Sequence, residues 1–200
     1  MKASLIIVSF FVVGLILGIN FDQLAELCSG NLSRYILYVM MLSVGMGIGC
    51  DKAALKALRD QDKRAFLLPL GTIVGTLLGA AAVYPLVSSI ELKDTLAVAS
   101  GLGYYSLSSI LLTEYRGAEI GTIALLSNVI REVGTILTAP LMVRYFTKLA
   151  LISSAGAASI DTLLPIITRN SGKEYIIVAI IHGLVMEVAA PVLVTLFAML

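Results

Sequence analysis

Charge is what this sequence has least of. Of 200 residues 14% are charged and 58% are hydrophobic, so a water-soluble globule would lack the polar surface to cover itself. The 14 basic and 13 acidic residues leave a formal net charge of +1, which offers no basic field for nucleic acid or for an anionic lipid surface. Cysteine is scarce too. Cys28 and Cys50 lie beside apolar segments, with no CxxC pattern or Cys/His cluster, and this argues against a metal or redox centre. No cofactor is expected. Catalytic signatures are also missing: the chain has no G-x-S-x-G elbow, no H-E-x-x-H zinc motif and no paired aspartates of the intramembrane aspartic protease type, so we read it as a non-enzyme. Tyr104, Tyr105 and Ser106 supply hydroxyls, but nothing local activates a nucleophile.

What the chain has in abundance is apolar sequence. A membrane-spanning helix takes about 20 mainly apolar residues. Seven segments approach or meet that length: 3–19, 35–50, 65–89, 95–113, 118–143, 149–167 and 175–200. The expected fold is an all-α integral membrane protein, a polytopic helix bundle forming one transmembrane domain over residues 1–200. Lys2 before the first apolar run resembles a signal peptide, but no small-x-small cleavage site follows, so the run reads as a retained first helix. The longest polar stretch, DKAALKALRDQDKR at residues 51–64, gathers Lys52, Lys56, Arg59, Lys63 and Arg64. Basic loops stay on the cytoplasmic side, which places this loop and the N-terminus inside and the C-terminus outside. If segments 95–113 and 149–167 are re-entrant, Lys and Arg divide 10 inside to 3 outside, with Arg131 uncounted. Full crossings give 9 to 4. The broken or re-entrant reading is preferred, because both segments contain helix-breaking polar runs. Non-helical backbone at membrane depth has to be buried in protein.

Small residues at four-residue spacing, Gly14/Gly18, Gly45/Gly49 and Gly71/Gly75/Gly79, read as helix-packing surfaces. The chemistry lies elsewhere. In SGLGYYSLSS, residues 100–109, glycines Gly101 and Gly103 and four serines interrupt an apolar span. The result is either a broken helix, whose free ends bind charged groups, or a kinked span with serines bonded to preceding carbonyls. Asn128 and Glu132 share one helical face, and a carboxylate at that depth costs about 2.5 to 3.5 kcal/mol, so it faces a cavity or a partner. The alternative is neutralisation by Arg131, awkward because adjacent helical residues point about 100° apart. Asp161 stands between a small-residue run and Pro165, where a helix opens; a helix N-cap at Ser159 or Asp161 is the structural alternative. His182 is open between a satisfied interior histidine and a proton-handling one. Glu187, flanked by Met186 and Val188 in mid-span, faces the same cavity or a partner subunit.

At these residues the sequence resembles the LysO family of bacterial lysine exporters. The matching motifs are SGLGYYSLSSILLTE (100–114), SNVIREVG (127–134), GAASIDTLLP (156–165) and HGL (182–184). The resemblance runs over essentially the whole chain and implies export of lysine or a related basic amino acid across the bacterial inner membrane. It puts Glu132 and Asp161 at the family's intramembrane acids; Glu187 is not part of the pattern. Single-chain members carry about three further spans and another buried acid before the point where this chain begins, so a small membrane subunit is the expected partner. The expected site comprises Glu132, Asp161, Asn128, Tyr105, Ser106, Gly101, Gly103, His182 and Glu187. The carboxylates bind substrate ammonium groups or exchanging protons, and residues 101–106 receive the α-carboxylate. A proton or sodium is the coupling ion. Sodium/proton antiport without an organic substrate, or a non-transporting assembly subunit, are the alternatives.

Overall fold

The chain divides into two compact units, Met1–Gly45 and Met46–Leu200. A computed structural model describes residues 67–86 and 90–200, together with Val13, Ile16, Leu17, Tyr35, Val39, Leu42, Met46 and Cys50. The expected first two spans, the basic loop at 51–64 and the Gly14/Gly18 and Gly45/Gly49 pairs lie outside the described residues. In the first unit the described positions are helical and exposed apolar residues. Every continuous element among the described residues belongs to the second unit.

All of these regular elements are helical. Among the described residues three stretches are long and apolar enough to cross a membrane: Leu67–Leu86, Ala118–Tyr145 and Lys173–Ala198. Their long helices are α1 (Leu67–Val83), α4 (Ala118–Tyr145) and α7 (Ile176–Ala198). Between them lie shorter pieces, α2 (Leu92–Ala99), α3 (Tyr105–Arg116), α5 (Lys148–Ala155) and α6 (Leu164–Asn170). The chain is an all-α membrane protein. Its long helices are arranged polar-in: α4 turns Leu126, Ile130, Leu137 and Leu141 outward and buries Ala124, Asn128, Thr135 and Ala139. That inversion suits a helix whose outer solvent is lipid.

The short pieces pair into two hairpins. Segment α2–α3 leaves from the side it entered, because Arg116 at the end of α3 holds Asp94 in the first turn of α2, Nε to Oδ1 at 2.6 Å. A second contact runs from Arg116 to Glu91 at 3.8 Å. A continuous helix would set those ends about 33 Å apart at ~1.5 Å per residue, far beyond the reach of an arginine. Segment α5–α6 closes in the same way. Lys148, the first residue of α5, pairs with Glu174 at 3.2 Å and lies 5.3 Å from the Tyr175 ring, and Ser171 Oγ donates to the Lys148 carbonyl at 3.0 Å. Of the two forms expected for 95–113 and 149–167, the structure takes the re-entrant one in both.

The hairpin bases lie at opposite ends of α4, which links them over 28 residues, or about 42 Å. Their tips meet between: the Ala157 amide donates to the Leu102 carbonyl at 2.9 Å. The meeting is tight enough to dictate residue type. Gly103 and Gly156 have φ of +93° and +61°, a region open chiefly to glycine, and a Cβ on Gly156 would run into the Leu102 carbonyl. Leu102 itself is held at φ +50° and is fully buried, a conformation that surrounding contacts must impose. The two tips match in sequence as well, SGLGYYSLSS against SSAGAASIDT, with Gly103 aligned to Gly156 and Ser108 to Asp161. A span followed by a hairpin thus occurs twice with opposite orientation, α1 with α2–α3 and α4 with α5–α6, an inverted repeat.

Candidate functional site

The tips line a partly open cavity of about 80 Å³. Gly103, Tyr104, Tyr105 and Ser106 form its wall on the first hairpin, Ala157, Ala158, Asp161 and Thr162 on the second, and Glu187 closes it from α7. Glu132 joins through the neighbouring hydroxyl, since Thr162 Oγ1 donates to its Oε1 at 2.6 Å. Depth follows from chain position. Glu132 is near the midpoint of α4 and Glu187 at the midpoint of α7, so three carboxylates gather at the level where the hairpins end. Among the described residues none of the three is in an ion pair; the pairs present are those at the hairpin bases and Lys93–Glu91.

Arg131 does not neutralise its neighbour. Its Nε donates to the Ser154 carbonyl at 2.9 Å and its Nη2 to the Ser153 carbonyl at 3.0 Å, so it caps the C-terminal end of α5, where a cation meets the negative end of the helix dipole. Nor does Asp161 cap α6, which begins after Leu163 with no side-chain cap. Its Oδ1 instead accepts from the Thr162 amide. Tyr105 and Ser106 open α3, whose N-terminus likewise lacks a side-chain cap. Free amides there and the positive end of that dipole face the cavity wall.

Asn128, Gly101 and His182 lie behind this wall. Asn128 is 4% exposed; its Oδ1 accepts from the Gly103 amide at 2.7 Å, and its Nδ2 donates to the Ala124 carbonyl at 2.9 Å and reaches Ser108 Oγ at 3.4 Å. It pins the first tip to α4. Gly101 leaves the room Asn128 needs, because a Cβ there would press on Asn128 Nδ2 and stand 2.9 Å from Ser108 Oγ. His182 is fully buried, Nε2 3.0 Å from Thr72 Oγ1 and Nδ1 3.4 Å from Ser159 Oγ. It joins α1, α7 and the second tip. Ser159 also donates to the Ala179 carbonyl at 2.9 Å.

Two contributors escape a reading by residue type: Thr162 and the backbone of Ala157. Thr162 had a signal, a hydroxyl adjoining the intramembrane Asp161. The small alanines had none, because their contribution is room for close backbone approach. Gly71, Gly75 and Gly79 are expected at a helix interface, yet a Cβ added at any of them would meet nothing within 4 Å among the described residues. Among the described residues, three carboxylates with no ion-paired cation beside the uncapped α3 N-terminus fit a ligand carrying positive charge at one end and negative at the other.

Comparison with known proteins agrees in extent and kind. A family model described as "Lysine exporter LysO" matches residues 8–198. The chain is 31% identical over 198 residues to the lysine exporter LysO of Escherichia coli K12, covering 99% of this chain and 64% of that protein. It is 28% identical over 192 residues to a putative lysine exporter of Haemophilus influenzae, covering 96% of each. No solved structure matches.

Proposed function

The chain belongs to the lysine exporter LysO family, and from that premise we propose that it exports lysine or a related basic amino acid across the bacterial inner membrane in exchange for protons or sodium. The observation that carries this reading is the cavity between the hairpin tips, with Asp161 and Glu187 on its wall and Glu132 hydrogen-bonded to Thr162. Like charges gathered around one cavity repel, the more so away from bulk water. An ammonium group or a proton relieves that repulsion, and competition between the two for the same carboxylates is the simplest physical basis for antiport. The uncapped N-terminus of α3 receives the substrate carboxylate. A volume of about 80 Å³ matches about three waters at ~30 Å³ each, enough for one charged group of the substrate. The hairpins then part to pass the rest.

The α3 N-terminus favours an amino acid over a bare cation as cargo, since exchange of sodium for protons needs no carboxylate seat. The chain spans 64% of the length of the Escherichia coli relative, and the partner in this proposal is a small membrane subunit of about three spans. With both hairpins re-entrant, the 10 to 3 split of basic residues puts the base of α5–α6 inside and the base of α2–α3 and the C-terminus outside.

Lysine efflux from cells producing the partner and Glu132→Gln, Asp161→Asn or Glu187→Gln tests the assignment. The first two lower efflux at least about tenfold, the equivalent of one charge-assisted contact, with the complex still co-purifying. Undiminished efflux overturns the reading, and loss of co-purification instead supports an assembly role.

A further inference from the structure

A second cavity lies before the second tip in chain order, where the acid cavity lies after it. It is an open groove of about 390 Å³ between the first half of α1 and the inner end of α5, with Arg131 as its charged residue among those described and Thr72, Gly75, Thr76, Ser153 and Ser154 in its lining. Among the described residues no carboxylate lines it. Arg131 and Glu132 are successive residues of α4 and point about 100° apart, which sends one to Ser153 and Ser154 and the other to Thr162. The inverted repeat is therefore flanked by a cationic and an anionic compartment separated by the second tip.

The Arg131 charge is only partly answered. A guanidinium has five N–H donors, and two of its nitrogens serve the Ser154 and Ser153 carbonyls. The negative end of α5 amounts to about half an elementary charge, and no acid pairs with Arg131 among the described residues. Net positive charge thus remains beside a cavity walled by hydroxyls and bare glycine backbone. A planar fork of donors among hydroxyls is suited to a carboxylate, and the volume is in the range of about 300 to 1,000 Å³ typical of small-ligand sites.

We propose that this compartment is a reception site for the α-carboxylate of the amino acid, on the side of the base of α5–α6, from which the ammonium end reaches across the second tip to the acid cavity. This rests on the export reading and adds to it a first station with its own specificity: an amino acid is held more tightly than a diamine or an amino amide, which lack the carboxylate. Thr76 lines the groove one turn beyond Thr72 on α1, so an acid placed there brings a fixed carboxylate into it.

Inside-out vesicles containing the complete exporter give the test, with half-saturating concentrations measured for lysine and for lysine amide, which keeps both amines and lacks the carboxylate. Arg131→Gln and Thr76→Asp each raise the value for lysine about tenfold to a hundredfold, the range of a charge-assisted hydrogen bond, and leave that for the amide unchanged. A lysine value that stays put in Thr76→Asp, or rises in step with that of the amide, overturns the proposal whether or not Arg131→Gln reaches the membrane. Glu132→Gln in the same vesicles separates the two readings. If wild-type vesicles move no lysine that Glu132→Gln abolishes, the export reading and the reception site fall together; if they do and Thr76→Asp shows no selective effect, only the reception site fails.

Discussion

Asn128 shows how one side chain can be read in two ways from the same spacing. Its position one turn before Glu132 suits a ligand-binding face, yet its amide is spent inside the fold, holding the Gly103 N–H at 2.7 Å. Removing it leaves that buried donor unpaired, which costs about 1 to 3 kcal/mol. Asn128→Ala is therefore expected to lower the thermal unfolding midpoint of the purified protein, and Asn128→Asp, which keeps the accepting oxygen, to restore part of the loss. A direct substrate contact would show the opposite pattern, with unchanged stability and a raised half-saturating concentration. Glu132, by contrast, spends one oxygen on Thr162 and has no cation at hand, so its remaining capacity is available to a ligand.

Elements here are defined by their bases as much as by their tips. The α2–α3 hairpin is fastened by Arg116 and Asp94, whose side chains are 21% and 11% exposed, whereas Lys148 and Glu174 at the other base are 47% and 64% exposed. Water screens the second pair and leaves it about 0 to 1 kcal/mol. The first keeps more of its strength, and truncating one partner strands a largely buried charge. Arg116→Ala is expected to destabilise by about 1 to 3 kcal/mol and Lys148→Ala by less than about 1, compared by thermal unfolding in one detergent. Equal losses would mean that burial does not separate the two latches. The weaker latch also marks α5–α6 as the hairpin that is easier to open, on the side where the Arg131 cavity lies.

For the molecule as a whole, re-entrance decides which loops share a side. If both hairpins return, residues 117–119 are outside and residues 146–147 inside; if both segments crossed, each would be reversed. Single-cysteine variants Glu119→Cys and Phe146→Cys, in a background without Cys28 and Cys50, distinguish the two with a membrane-impermeant maleimide. Labelling of Glu119→Cys in intact cells, and of Phe146→Cys only after permeabilisation, is the expected result. Much of this plan is legible in the residues. Apolar length and scarcity of charge determine a helical membrane protein, because a bilayer leaves few other solutions. Gly101, Gly103 and the serines around them, like the small residues before Asp161, locate both helix breaks through local backbone chemistry. The repeat of SGLGYYSLSS in SSAGAASIDT is written in the chain but masked by alanine standing for tyrosine, and it emerges once the two tips are seen to meet. Other decisions needed tertiary contacts. Re-entrance rests on Arg116 meeting Asp94, the pinning role of Asn128 on Gly103, and the direction of Arg131 on the end of α5. Glu187 reaches the acid cavity only because α7 packs against both tips. Periodicity tells which face of a helix a residue occupies, but not which distant element will arrive there.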